Sequence, residues 1–122
     1  MEGGSADMRI MQDCRREIRM MCADMIEVNW REDQRARRGT ALLEDISPSG
    51  ACLQMETAVP LGTRIHWDSP QQEFAGCVRY CVYREIGYFV GVEFEPGTKW
   101  SRKVYRPQHL LDPKRLLAQR NR

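Results

Sequence analysis

Asp45-Ile46-Ser47-Pro48-Ser49-Gly50 separates two runs of strand-like residues, from about Arg38 to Asp45 and from about Gly50 to Glu56, and the fold follows from how it is read. Within one turn it combines a carboxylate, hydroxyls, a proline of fixed φ and a glycine. Those residues form hairpin corners for purely conformational reasons. They also make up a binding loop: Asp45 can accept two parallel hydrogen bonds, Ser47 can donate or accept, and Gly50 permits φ > 0 or close approach of a ligand. On either reading the chain reverses here between two strands.

The same alternation extends in both directions. Upstream, Ile26, Val28 and Trp30 share one face while Glu27, Asn29 and Arg31 share the other, which predicts a strand over Met20 to Trp30. The charged run from 31 to 37 suits an exposed connection. Downstream, Ala51, Leu53 and Met55 alternate against Cys52, Gln54 and Glu56, and Val59-Pro60-Leu61-Gly62 turns the chain. Ile65 and Trp67 then share a face of a strand from Thr63 to Asp68. Two longer runs, Gln72 to Tyr83 and Tyr88 to Glu95, predict a hairpin joined near Arg84-Glu85-Ile86-Gly87. Phe74, Val78, Tyr80 and Val82 are expected on one face of its first arm, and Tyr88, Val90, Val92 and Phe94 on one face of its second. Six short strands divided by turn signals, with no long helical pattern between them, indicate an antiparallel all-β barrel. Closure would hide sheet edges that otherwise invite pairing.

A chain of 122 residues is expected to form one domain, with a mobile arm over 1–13, the barrel over 14–98 and a basic segment over 99–122. Asp112 before Pro113 resembles a helix start, and Leu116 with Leu117 could dock one face, so the last segment is expected to be partly helical. The five cysteines, Cys14, Cys22, Cys52, Cys77 and Cys81, are odd in number and scattered. With no apolar leader at the N-terminus, they predict a cytoplasmic protein with reduced thiols. No apolar run approaches the roughly 18 residues of a membrane-crossing helix. Charge is unevenly spread: residues 39–98 carry −5, residues 14–38 carry +2 and residues 99–122 carry +7. An anionic ligand would therefore meet arginine supplied from outside the sheet.

Asp45-x-Ser47-x-x-Gly50 at the end of the second strand, with Arg15-x-x-x-Arg19 just ahead of the first, resembles the paired signature of PilZ domains, bacterial receptors for cyclic di-GMP. The arginine half is weak, since Arg31 with Arg35 and Arg102 with Arg106 have the same spacing. The Asp, Ser, Gly half is rare in this composition and carries most of the resemblance, which covers about Cys14 to Glu95.

The resemblance implies a six-stranded PilZ-type barrel with a short C-terminal helix. It also implies cyclic di-GMP as ligand, held by Arg15, Arg19, Asp45, Ser47 and Gly50, with Arg16 assisting. Arginine suits the task, because its fork matches phosphate oxygens and the O6/N7 edge of guanine while its flat face can stack on a base. Asp45 can accept from the N1–H and N2–H pair that adenine lacks. Occupancy would order the Arg15 to Arg19 segment and present a new surface to a protein effector, without chemistry and without a cofactor or metal. Two other readings remain open on the sequence. One is a PilZ-like interaction adaptor that does not sense nucleotide, and the other is a small RNA-binding β-barrel using its basic segments.

The remaining constellations are weaker. Cys77 and Cys81, four apart on one predicted strand face, would be roughly 13 Å apart at strand rise, too far for one metal. His66 and His109 have no partner nucleophile at a recognisable spacing. His66 is expected to be exposed beside Trp67. Trp30, Trp67 and Trp100 are expected in the core or at barrel ends, with Trp100 the best candidate for an exposed stacking surface.

Overall fold

The computed structural model describes residues 17–101, 103 and 105–107. Six strands follow one another: β1 (Met20–Glu32), β2 (Arg35–Ser47), β3 (Gly50–Met55), β4 (Arg64–Asp68), β5 (Glu73–Arg84) and β6 (Gly87–Phe94). They close into an antiparallel barrel in the order β1-β2-β3-β6-β5-β4. The last seam is short, because β4 meets β1 only at Asn29 with His66 and Trp30 with Ile65. Among the described residues there is no helix. The arm over 1–13 and the expected helix after Asp112 lie outside the described residues.

Period-two alternation fills the barrel as expected for most of its length. Val28 and Trp30, Ala41 and Leu43, Leu53 and Met55, Ile65 and Trp67, and Val90 and Val92 all point into one core. Its centre is aromatic. Trp67 stacks on Phe74 with centroids 5.3 Å apart, and Phe94 tilts against both rings. Trp100 and Tyr105 belong to the same core, with Tyr105 edge-on to Phe74. Trp100 is 5% exposed and its indole donates to the Tyr105 carbonyl at 2.9 Å, so it packs as a barrel-end anchor and offers no open stacking face. His66 is exposed, as expected.

Three expectations need correction. The charged run from 31 to 37 is not a loop: β1 continues to Glu32, β2 begins at Arg35, and only Asp33 and Gln34 turn. Both turn residues have positive φ, 52° and 66°, the geometry of a two-residue hairpin whose twist matches its strands. Charge kept this ribbon end in solvent without preventing it from pairing. The six residues from Asp45 to Gly50 are likewise tighter than a loop, because Ser47 pairs with Gly50 and only Pro48 and Ser49 turn.

The third correction concerns β5. Val78 pairs with Val92 and Tyr80 with the adjacent Gly91, so Arg79 is an extra residue, a two-against-one bulge. Val78 is 1% exposed, whereas Tyr80 and Val82 are each 42% exposed and Cys81 packs against the core. Tyr80 and Val82 therefore face away from the Phe74 and Val78 side expected of them. Cys77 and Cys81 lie on opposite faces for the same reason.

Asp33 and Gln34 hold a left-handed backbone without the glycine that favours it, at a cost of about 1 kcal/mol per non-glycine residue. Replacing them with Asn-Gly should raise the melting temperature by roughly 4 to 8 °C, read by thermal denaturation. An unchanged or lower value would mean that the turn carries no such strain.

Candidate functional site

The Asp-x-Ser-x-x-Gly stretch occupies the end of β2, a two-residue turn and the start of β3. Leu43 and Ile46 are both fully buried although they lie three apart, which an uninterrupted pleat cannot produce. Glu44 is the inserted residue: Leu43 pairs with Leu53 and Asp45 with the adjacent Cys52. Were Glu44 an ordinary ladder residue, Asp45 would follow Leu43 into the core; because Glu44 is bulged out of the ladder, Asp45 points outward.

There it meets Arg19. The guanidinium Nη1 lies 2.6 Å from Asp45 Oδ1, with the two side chains 38% and 28% exposed. Arg19 immediately precedes β1, whose Met21 is the cross-strand neighbour of Asp45, so strand pairing itself brings the two together. Two residues earlier, Glu17 Oε1 accepts from the Ser49 amide at 3.1 Å and from its hydroxyl at 2.5 Å. The segment entering β1 is thereby fastened to the turn at both Ser49 and Asp45.

Ser47 and Gly50 have a different place from Asp45. Ser47 is 2% exposed and its hydroxyl donates to the Gly50 carbonyl at 3.4 Å, so it braces the turn from within. It faces inward, away from the outer wall where the resemblance implies a bound nucleotide. Gly50 is needed for close approach, since a Cβ there would sit 2.6 Å from the Val92 carbonyl oxygen on β6. Positive φ plays no part, as Gly50 is absent from the residues in that region. The turn is also held from below: the Ser49 carbonyl accepts from Phe94 N at 2.7 Å and the Pro48 carbonyl from Trp100 N at 3.2 Å.

The outer wall beside Asp45 is a cross-strand row. Asp45 neighbours Cys52 on β3, Cys52 neighbours Gly91 on β6, and Gly91 neighbours Tyr80 on β5. The Tyr80 ring lies across Gly91, where any Cβ would fall about 2.0 Å from its Cε2. Its hydroxyl lies close to the Cys52 thiol, and burial pushes both groups' pKa values up; Arg19 and Asp45 are close enough to act on both electrostatically. Sequence alternation had assigned Tyr80 to the core face. The bulge at Arg79 has no composition signal that would have revealed it.

Arg15 and Arg16 lie outside the described residues. Arg31 and Arg35 occupy the opposite end of the β1–β2 ribbon, where Arg31 donates to the Gln34 carbonyl at 2.8 Å. Ten residues of extended β1 between Met21 and Arg31 correspond to roughly 33 Å, so this pair plays no part in a site at Asp45. The described residues contain no helix long and apolar enough to cross a membrane. Compared with known proteins, the chain matches no family model and no curated protein sequence.

The arrangement separates residues that build the turn from residues that face outward. A half-exposed ion pair contributes at most about 1 kcal/mol, so Asp45→Ala should leave the melting temperature within a few degrees of the parent. Gly50→Ala forces a methyl group onto a backbone carbonyl and should cost at least about 2 kcal/mol in chemical denaturation. Equal effects of the two substitutions would contradict this division.

Proposed function

We propose that the chain is a receptor for cyclic di-GMP that signals to a protein effector by reordering the segment ahead of β1. The observation that carries the reading is the meeting of Arg19 and Asp45 on the outer wall at the head of a braced turn. It puts a forked cation, suited to phosphate or to the O6/N7 edge of guanine, beside an acceptor suited to guanine N1–H and N2–H. The resemblance to PilZ domains supplies the ligand's identity, and Arg15 and Arg16 enter by that resemblance alone.

In this reading Ser47 and Gly50 shape the turn and Asp45 selects the base. Arg19 exchanges part of its contact with Asp45 for contact with the ligand. The exchange is inexpensive, because an exposed ion pair is worth at most about 1 kcal/mol whereas charge-assisted bonds to a ligand are worth about 1.5 to 3 kcal/mol each. Micromolar binding corresponds to roughly 8 kcal/mol, so a few such bonds plus base stacking suffice. Glu17 and Arg19 tie the incoming segment to the turn, so a ligand that replaces either contact would move the segment and with it the surface shown to a partner. The receptor would work in the cytoplasm, where the nucleotide is made, and would perform no chemistry.

An adaptor that does not sense nucleotide is the second reading. It draws on the exposed apolar side chains Met25, Tyr83 and Ile86, each 66% or more exposed.

Calorimetric titration with cyclic di-GMP, with cyclic di-AMP as control, separates the two. Binding of the first and not the second is expected, weakened at least about tenfold by Arg19→Ala or Asp45→Ala. No heat from the parent protein would leave the adaptor reading; a mutant binding as tightly as the parent would remove that residue from the site.

A further inference from the structure

We infer that Tyr80 is the platform on which one guanine of the nucleotide stacks, an inference that rests on the receptor reading above. The row Asp45, Cys52, Gly91, Tyr80 runs straight across four adjacent strands, and between its ends lie only the Cys52 thiol and the bare Gly91. The tyrosine leans back along that row. Its ring covers Gly91 and its hydroxyl reaches the thiol of Cys52, the direct neighbour of Asp45. The ring therefore ends about one strand spacing, roughly 5 Å, from the column that carries the acceptor.

Three features make this ring more than cover for a bare backbone. Gly91 lets it lie close against the sheet, where the bare backbone seats the ring, so less side-chain freedom is left to lose when a base lands on it. It is 42% exposed, so a face remains open to solvent, and no other aromatic ring of the described residues stacks on it. It points outward because Arg79 is bulged out of the ladder and does not take its own place in the pleat, as Asp45 does beside the bulged Glu44. Bulges are over-represented at sheet edges, at barrel rims and next to active sites, where they re-aim side chains. Two of them aiming a guanine acceptor and an aromatic ring onto one row point to one planar ligand group, held at its edge by Asp45 and on its face by Tyr80.

The test titrates cyclic di-GMP into the parent, Tyr80→Phe and Tyr80→Leu, following affinity and the guanine H8 proton resonances. Leucine keeps an apolar cover over Gly91 but has no π-face. The phenylalanine variant should bind within about threefold of the parent, and the leucine variant about tenfold or more weaker, as expected for loss of one stacked base. In the parent and the phenylalanine variant one H8 resonance should shift upfield on binding, and this shift should vanish with leucine. A leucine variant that keeps the parent's affinity and H8 shift overturns the inference and leaves the receptor reading standing. A parent that binds no cyclic di-GMP overturns both. Should the leucine variant not fold, nuclear Overhauser contacts between the Tyr80 ring and a guanine H8 in the parent complex decide the matter, and their absence overturns the inference.

Discussion

In a closed barrel each strand residue faces either the core or the outer wall, and only an inserted residue changes which. The rest of this site depends on that constraint. Glu44 in β2 and Arg79 in β5 are two of the three irregularities in the described strands, the third lying between Met21 and Asp24 of β1, and each of the two falls between a buried residue and one that a regular pleat would have turned inward. An ionised Asp45 in the core would meet a desolvation cost of several kcal/mol, and a buried Tyr80 phenol would need a partner of the kind that Asp24 gives Tyr105. One extra residue per strand relieves both conflicts. It also sets the two side chains on a common row, since β3 and β6 between them keep an unbroken register over Gly50 to Met55.

The outward-facing groups are useful only if the wall beneath them is stiff, and the hydrogen bonds around Pro48 and Ser49 provide that stiffness. Both carbonyls of this turn are taken by amides from the end of β6 and from Trp100, while the Ser49 amide and hydroxyl are taken by Glu17. Trp100 is itself set in the aromatic core by its bond to the Tyr105 carbonyl. The corner therefore connects the core, the segment entering β1 and the outer row. A displacement of Glu17 or Arg19 acts on one side of this joint while the other remains held by the core. On the receptor reading, such an arrangement would turn a change in side-chain contact into movement of the incoming segment and leave the barrel intact.

Much of this was legible in the alternation of apolar residues. The six strands, their antiparallel order in the hairpins and the core positions Val28, Trp30, Leu53, Ile65, Trp67 and Val90 follow from period two and from turn residues. What alternation could not reveal is where the period breaks. Nothing in Leu43-Glu44-Asp45 or Val78-Arg79-Tyr80 distinguishes a bulge from a regular pleat, because the choice depends on cross-strand partners that are distant in sequence. The Asp33-Gln34 turn was hidden for a related reason. Charged residues on both arms favour solvent equally well in a loop and in an exposed ribbon, and only pairing over Arg31 with Ala36 and Glu32 with Arg35 tells them apart. For Asp45 the outward direction was assumed from its chemistry, and the bulge supplies the physical reason.

The contact between Arg19 and Asp45 has two consequences that oppose each other. It places the guanidinium beside the acceptor before any ligand arrives, which lowers the ordering cost of binding, yet it occupies one carboxylate oxygen that a guanine edge would use. Exposure decides between them. A buried pair would resist exchange, because separating it strands a desolvated charge at a cost of about 3 to 5 kcal/mol. Here both partners retain a third or so of their side-chain surface in water, so either charge can be solvated while the other is engaged. The pair thus positions Arg19 without locking it, and the firm part of the site is the turn held by Ser47, Gly50 and Ser49. On the proposed receptor reading, selectivity would rest with the geometry of the wall, where Asp45, the bare Gly91 and the flat ring of Tyr80 share one row.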